Sequence, residues 1–182
     1  MNLNAVSEYK VLVAGDAIYD RYRFCDTLGR GTKESIISVK FKSEATYKGG
    51  VWASASHLVD LVKQVDIWHG EKVTLNTKYV GAYSQKLFSV HDETIEPNGV
   101  IPVIGNYDVV IVFDYGHGFF TPELRRRITL ESRYLAVNAQ SNSSNYGFNR
   151  INEKWPVANL AVCDELEARL AAHEQDLPIE DV

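Results

Sequence analysis

Four small groups of residues in this chain have the types and spacing to do chemistry. The first is Asp114-Tyr115-Gly116-His117-Gly118, which follows at once on the apolar run Val109–Phe113. A carboxylate and an imidazole beside two glycines can bind, or exchange protons with, a ligand that bare backbone lets come close. With only a tyrosine and a glycine between them, Asp114 and His117 need not face one another, and Asp114 can equally serve as a plain turn cap. The second group is Asp16 and Asp20, four residues apart just past Lys10–Gly15. Ionised carboxylates only accept hydrogen bonds, so the pair suits a hydroxyl-rich ligand or a metal; a turn in which one carboxylate pairs with Arg21 fits the spacing as well. The third is Gly49-Gly50 at a helix start, where backbone N–H groups can face an anionic or polar ligand. Taken alone, it also reads as a tight turn with small residues packed against a neighbour. The fourth is Asp164, Glu165 and Glu167 in the first turn of a helix, where the dipole alone accounts for acidic residues.

These groups need elements to hold them. Val109–Phe113, rich in β-branched residues, reads as a strand buried on both faces. Thr121-Pro122-Glu123 then opens a helix over Pro122–Leu130, with Thr121 as N-cap and Pro122 at the first helical position. Arg125, Arg126 and Arg127 read as a solvated helix end. Strand, glycine turn and helix make an α/β unit, and ligands of open α/β sheets sit at the carboxyl ends of the strands. Lys10–Gly15 is a second such strand. Tyr134–Val137 is a third, running into the amide-rich loop Asn138–Asn149. Ala158–Cys163 is a short fourth, followed by a helix over Asp164–Ala172. A helix is expected over Val51–Val62, with His57 on its surface or in the core.

A different pattern appears elsewhere. Ser38–Lys42 alternates apolar with polar, as a half-exposed strand does. Glu71–Val90 reads as two more such strands with a break near Gly81. Together they form a small sheet with one apolar face and no helix to cover it, so it should cover a ligand site, a partner subunit or both. Gly29–Lys33 lacks the spacing of a phosphate-binding loop and reads as a connection, as does Asn98–Asn106.

A chain of 182 residues is long enough for one domain with a real core. Its net charge of −5 gives no electrostatic footprint for nucleic acid or an anionic membrane. Cys25 and Cys163 stand far apart without metal-type spacing, which points to reduced thiols in a cytoplasmic protein. No signal peptide and no membrane-length apolar segment is visible. Asn142-Ser143-Ser144 matches a glycosylation acceptor by chance in such a protein. Leu177–Asp181 reads as the start of a helix.

In order, Val11–Tyr22 (VLVAGDAIYDRY), the Gly49-Gly50 helix start, Val109–Leu124 (VVIVFDYGHGFFTPEL) and Asp164–Ala171 (DELEARLA) resemble the PfkB, or ribokinase-like, carbohydrate kinases, and look closest to the heptose-phosphate kinase branch. The ordered set is moderately specific and covers nearly all of this chain, but only the first part of that family's fold. The resemblance implies a doubly wound, Rossmann-like α/β core, incomplete at its C-terminal side, with a small β-sheet lid. The core would be residues 8–24, 49–70 and 107–182, and the lid 25–48 and 71–95. It implies a sugar or sugar phosphate as ligand, with Asp20 receiving its hydroxyls, Gly49 and Gly50 packed against it, and Asp16, Ser54, Asp114 and His117 nearby. Asn138, Asp164 and Glu167 would lie towards the nucleotide, with Glu167 acting on Mg²⁺ through water. ATP and Mg²⁺ would be cofactors of the complete enzyme, and a homodimer through the lid is expected. The chain departs from the family where His117 replaces the lysine of DYxKG, Asp164 the asparagine of N-x-x-E, and Ser54 an asparagine. The GAGD segment, which carries the family's catalytic base and anion hole, has no counterpart here. This chain alone is therefore expected to be inactive, as the sugar-binding portion of a kinase. A non-catalytic sugar-binding or regulatory module and an unrelated α/β enzyme using Asp114 and His117 are the alternatives.

Overall fold

The computed structural model describes residues 6–31, 36–97, 101–142 and 145–181. Thr32, Lys33, Ser143, Ser144 and the first part of the Asn98–Asn106 loop lie outside them. Two sheets carry the chain. The first has five parallel strands in the order β4-β1-β7-β8-β9: β1 Lys10–Gly15, β4 Gln64–Trp68, β7 Val109–Asp114, β8 Leu135–Ala139 and β9 Leu160–Val162. The second has four strands in the order β3-β2-β5-β6: β2 Ala17–Arg30, β3 Ile37–Gly50, β5 Lys72–Val80 and β6 Lys86–Ile95. Its outer pairs are antiparallel, while β2 and β5 run parallel.

Apolar runs build the first sheet. Leu12, Val110, Val112 and Val137 are almost wholly buried on one face, packed with Ile104, Ile128 and Trp155. Each such aliphatic side chain contributes about 2 kcal/mol by leaving water. The other face is thinner. Val11, Val13 and Ala17 meet Val51, Ala55 and Val73, while Val109, Ile111 and Phe113 stay half-buried. β7 is therefore fully buried on one face only, because a single short helix, α1 (Val51–Ser56), covers the other. α1 is half the length expected. The Ser54 and Ser56 hydroxyls bond back to the carbonyls of Gly50 and Ala53. The chain must also turn by Gln64 to enter β4, which pairs with β1. β4 itself has no clear signature, since Asp66 interrupts its apolar residues; that carboxylate accepts a 2.7 Å hydrogen bond from the Tyr107 hydroxyl.

The helix α2 (Pro122–Glu131) begins as expected, with the Thr121 hydroxyl accepting from the Leu124 amide. Two further helices follow, α3 (Ile151–Lys154), which has no clear sequence signal, and α4 (Glu165–Ala172). The expected strand break near Gly81 separates β5 from β6. The second sheet starts at Ala17 rather than near residue 25, so Asp20 stands on the lid sheet itself. Cys25 is buried and Cys163 exposed, both as free thiols. No helix among the described residues is long and apolar enough to cross a membrane.

The tightest polar junction beneath the first sheet is Asn149, which is fully buried. Its amide donates to the Asp114 main-chain oxygen (2.7 Å), the Asp114 carboxylate (3.1 Å) and the Gln140 oxygen (3.2 Å). Asn149→Ala strands these acceptors together. A loss of about 3 kcal/mol in urea unfolding is expected, and a loss below about 1 kcal/mol would contradict this account.

Candidate functional site

The site forms where the chain passes from one sheet to the other. β1 ends at Gly15 and β2 begins at Ala17, so Asp16 alone spans the crossing. Its amide donates to the Phe113 oxygen and its own oxygen accepts from the Val51 amide, both at 3.1 Å. Its carboxylate accepts from the amides of Tyr115 (2.8 Å) and His117 (3.4 Å) in the turn after β7. One residue thus fixes the core strand ends and the start of α1 through its main chain, and the glycine turn through its carboxylate. Burial pushes the Asp16 carboxyl above its ordinary 3.8; the His117 charge and the two amides oppose that shift.

Gly49 and Gly50 are required by close approach. A Cβ on Gly50, at φ 57°, would lie 2.3 Å from the Asp16 oxygen, and one on Gly49 would lie 2.7 Å from the Asp20 carboxylate. The pair therefore does pack against the acidic residues. The first amide of α1, that of Val51, is already taken by Asp16 rather than offered to a ligand.

Above this crossing the lid sheet leans over the turn. Strand register sets Ile18 opposite Thr74, Asp20 opposite Asn76 and Tyr22 opposite Lys78 on one face. Between that face and the core loops lies a cleft of about 380 Å³. Asp20, Gly50, Thr74 and Asn76 line its lid side, and Tyr115, His117 and Gln140 its core side. Polar groups of both kinds, donors and acceptors, converge there as a polyol requires. The His117 ring approaches the Thr74 hydroxyl at 2.7 Å and ties the core turn to the lid. Asp20 is held by Lys78 at 2.6 Å. Its expected alternative partner, Arg21, sits near Glu44 instead. Burial, with the charges of Asp16 and Asp20, raises the Tyr115 hydroxyl pKa.

Five expected site residues have other surroundings. Asp114 points to the opposite face of the sheet, where its carboxylate accepts from Gly116, Asn149 and the Trp155 indole (2.9 Å). The strand alternation puts it with Val110 and Val112, away from the cleft, so Asp114 and His117 do not form a pair. The Ser54 hydroxyl bonds back to Gly50. The Asn138 side chain donates to the Val162 oxygen (2.8 Å), fastening β8 to β9. Asp164 and Glu167 form a reciprocal capping box at α4, and the second Glu167 oxygen accepts from the Ser141 amide (3.1 Å). Both Glu167 oxygens are engaged by amides, and no cluster of three or more metal-type ligands occurs among the described residues.

The sequence reading misses Thr74, Asn76, Lys78 and Tyr115. A signal for the first three exists: they are the polar half of a strand whose other half is Val73, Leu75 and Thr77.

No protein-family model matches the sequence, and no curated protein matches it. Solved structures do match the fold. A carbohydrate kinase from Agrobacterium tumefaciens aligns over 92% of this chain with TM-score 0.56 and 13% identity. Arabidopsis thaliana ribokinase complexed with ribose and ATP aligns over 96%, with TM-score 0.56 and 11% identity. A protein titled "putative ribokinase" from Agrobacterium tumefaciens aligns over 96%, with TM-score 0.57 and 14% identity. This chain spans 64%, 67% and 65% of their respective lengths. At such identities the likeness is one of fold: a ribokinase-like α/β architecture, with a parallel central sheet and a second, mixed one.

The two glycines separate by experiment. Gly50→Ala meets main-chain oxygen at a left-handed φ and should cost about 2 kcal/mol or more of stability. Gly49→Ala meets only the end of a side chain and should cost about 1 kcal/mol or less. Equal losses in thermal unfolding would contradict the close packing described here.

Proposed function

We propose that this chain is the sugar-binding portion of a sugar or sugar-phosphate kinase. The single observation that carries the reading is the convergence of Asp16, Asp20, Gly49, Gly50 and His117 at the crossing between core and lid, beside a polar cleft. Asp20 accepts sugar hydroxyls, Gly49 and Gly50 let the ring approach, and Asp16 holds the floor of the cleft through the Tyr115 and His117 amides. The fold likeness to carbohydrate kinases supports the same reading. So does β9, an edge strand of a parallel sheet whose three residues are all exposed and apolar, as a sheet continued by further α/β structure would leave it.

Phosphoryl transfer is largely positioning and charge stabilisation, with a base for the attacking hydroxyl. This chain's residues supply the first part only. ATP, Mg²⁺, the base and the anion hole belong to the complete enzyme, where Asn138, Asp164 and Glu167 would stand towards the nucleotide. The lid is proposed to pair with that of a second copy, since Leu28, Phe41 and Tyr47 are each more than half exposed on it. A cytoplasmic setting suits the two free thiols.

Calorimetric titration with pentoses, hexoses and their phosphates, with and without ATP·Mg²⁺, tests the assignment. Saturable sugar binding is expected, weakened about tenfold or more by Asp20→Asn, with no ADP formed. Absence of any sugar binding would overturn the sugar-site reading, and steady ADP formation would overturn the inactivity of the chain alone. Light scattering at micromolar concentration should give the mass of a dimer; a monomer's mass would contradict lid pairing.

A further inference from the structure

Lys78 is a charged residue that the sugar-binding reading leaves without work. Its ammonium lies 2.6 Å from Asp20 and 3.4 Å from the Tyr22 hydroxyl, and 5.0 Å over the Tyr22 ring. An ammonium has three protons to give. One goes to Asp20 and one, at long range, to Tyr22, which leaves a third. The pair is sheltered, with side chains 21% and 28% exposed, so a charge placed beside it is screened less than at open surface. Partial burial works against the Lys78 charge, but the hydrogen bonds and charges of Asp20 and Tyr22 together outweigh it and raise its pKa.

The surroundings give this cation a direction. Two hollows meet at Asp20. The inner one is the polar cleft of about 380 Å³; the outer one, about 460 Å³, is lined by Tyr22, Tyr47 and Lys86. Lys78 stands on β5 between Asn76, which lines the inner hollow, and Val80, which lines the outer one, and it touches Asp20, which lines both. On the far side of His117, the rim carries Asp92 and Glu93. His91 and His117 face the inner hollow, and the Asp16 carboxylate lies under the turn amides. An anion is therefore repelled at the Asp92 end and received at the Lys78 end. Lys78 and Asn76 both donate to Oδ1 of Asp20, which leaves Oδ2 for sugar hydroxyls and the third ammonium proton for an anion.

Resting on the sugar-cleft reading, we infer that Lys78 determines specificity: the cleft takes a sugar bearing a phosphate or carboxylate, whose anionic group Lys78 binds at the mouth, while Asp20 keeps the hydroxyls. Lys86 continues the path outward.

The test compares free sugars, sugar phosphates and uronates of pentose and hexose size by calorimetry on the full chain. Wild type, Lys78→Met and Lys78→Arg are measured, each first checked by thermal unfolding. The anionic form of a sugar should bind about tenfold or more tighter than its neutral parent. Lys78→Met should abolish that preference, and Lys78→Arg should retain it. The tighter of the phosphate and uronate arms names the anion. Equal affinity for neutral and anionic sugars, or a preference that survives in Lys78→Met, would overturn the inference and leave the sugar cleft standing. If no sugar of any kind binds, the cleft assignment fails and the inference goes with it.

Discussion

Everything in this fold that bears on function passes through Asp16. It is the single residue between the last residue of a core strand and the first of a lid strand. Its two main-chain groups join it to Phe113 and Val51, and its carboxylate joins it to the turn at Tyr115 and His117. A Cβ on Gly15 would lie 2.2 Å from the Phe113 oxygen, as close as the one on Gly50 would lie to Asp16 itself. The backbone is packed so closely around this point that neither Gly15 nor Gly50 has room for a Cβ. A buried carboxylate is costly unless amides satisfy it, and here they do. The lid cannot shift at its root without breaking these bonds.

The position of the cleft follows from that anchoring. Because β2 leaves the core sheet at Ala17 and alternates from there, its even-numbered residues face the turn after β7. Asp20 comes to the cleft through this register, and Lys78 on the neighbouring strand comes to Asp20. The Thr74 hydroxyl and the His117 ring close the far side. Asp20 is paired with Lys78, and the rest of the cleft lining is mostly uncharged polar groups. Such a lining is well matched to a ligand dense in hydroxyl groups and poorly matched to nucleic acid.

Much of the architecture can be read from the residues. The apolar runs of β1, β7 and β8 announce themselves, and Thr121-Pro122 marks the start of its helix through hydroxyl chemistry that needs no tertiary context. β4 is hidden because Gln64 and Asp66 dilute its apolar character. α1 is overestimated because apolar residues at helical spacing continue to Val62, whereas Val59 turns out exposed. The site divides in the same way. Asp16, Asp20 and the glycine pair can be found as acidic and small residues beside strand ends. Asp114 attracts attention for the same reason, yet strand parity sends its carboxylate to the opposite face. In a run of five apolar residues nothing in the sequence reveals that parity. Asp164 and Glu167 show how a capping box can resemble a ligand-binding pattern while its carboxylates are engaged by main-chain amides at the helix start and at Ser141.

The central claim is that a hydroxyl-rich ligand enters at the crossing of the two sheets. Amide chemical shifts followed by NMR during titration with a sugar test it most directly. On this account the signals of Gly49, Gly50, Tyr115 and His117 move together and saturate at one ligand concentration, while those of Arg125, Arg126 and Thr129 on α2, which packs on the other face of the first sheet, stay fixed. Movement confined to α2, with the crossing unchanged, would contradict it.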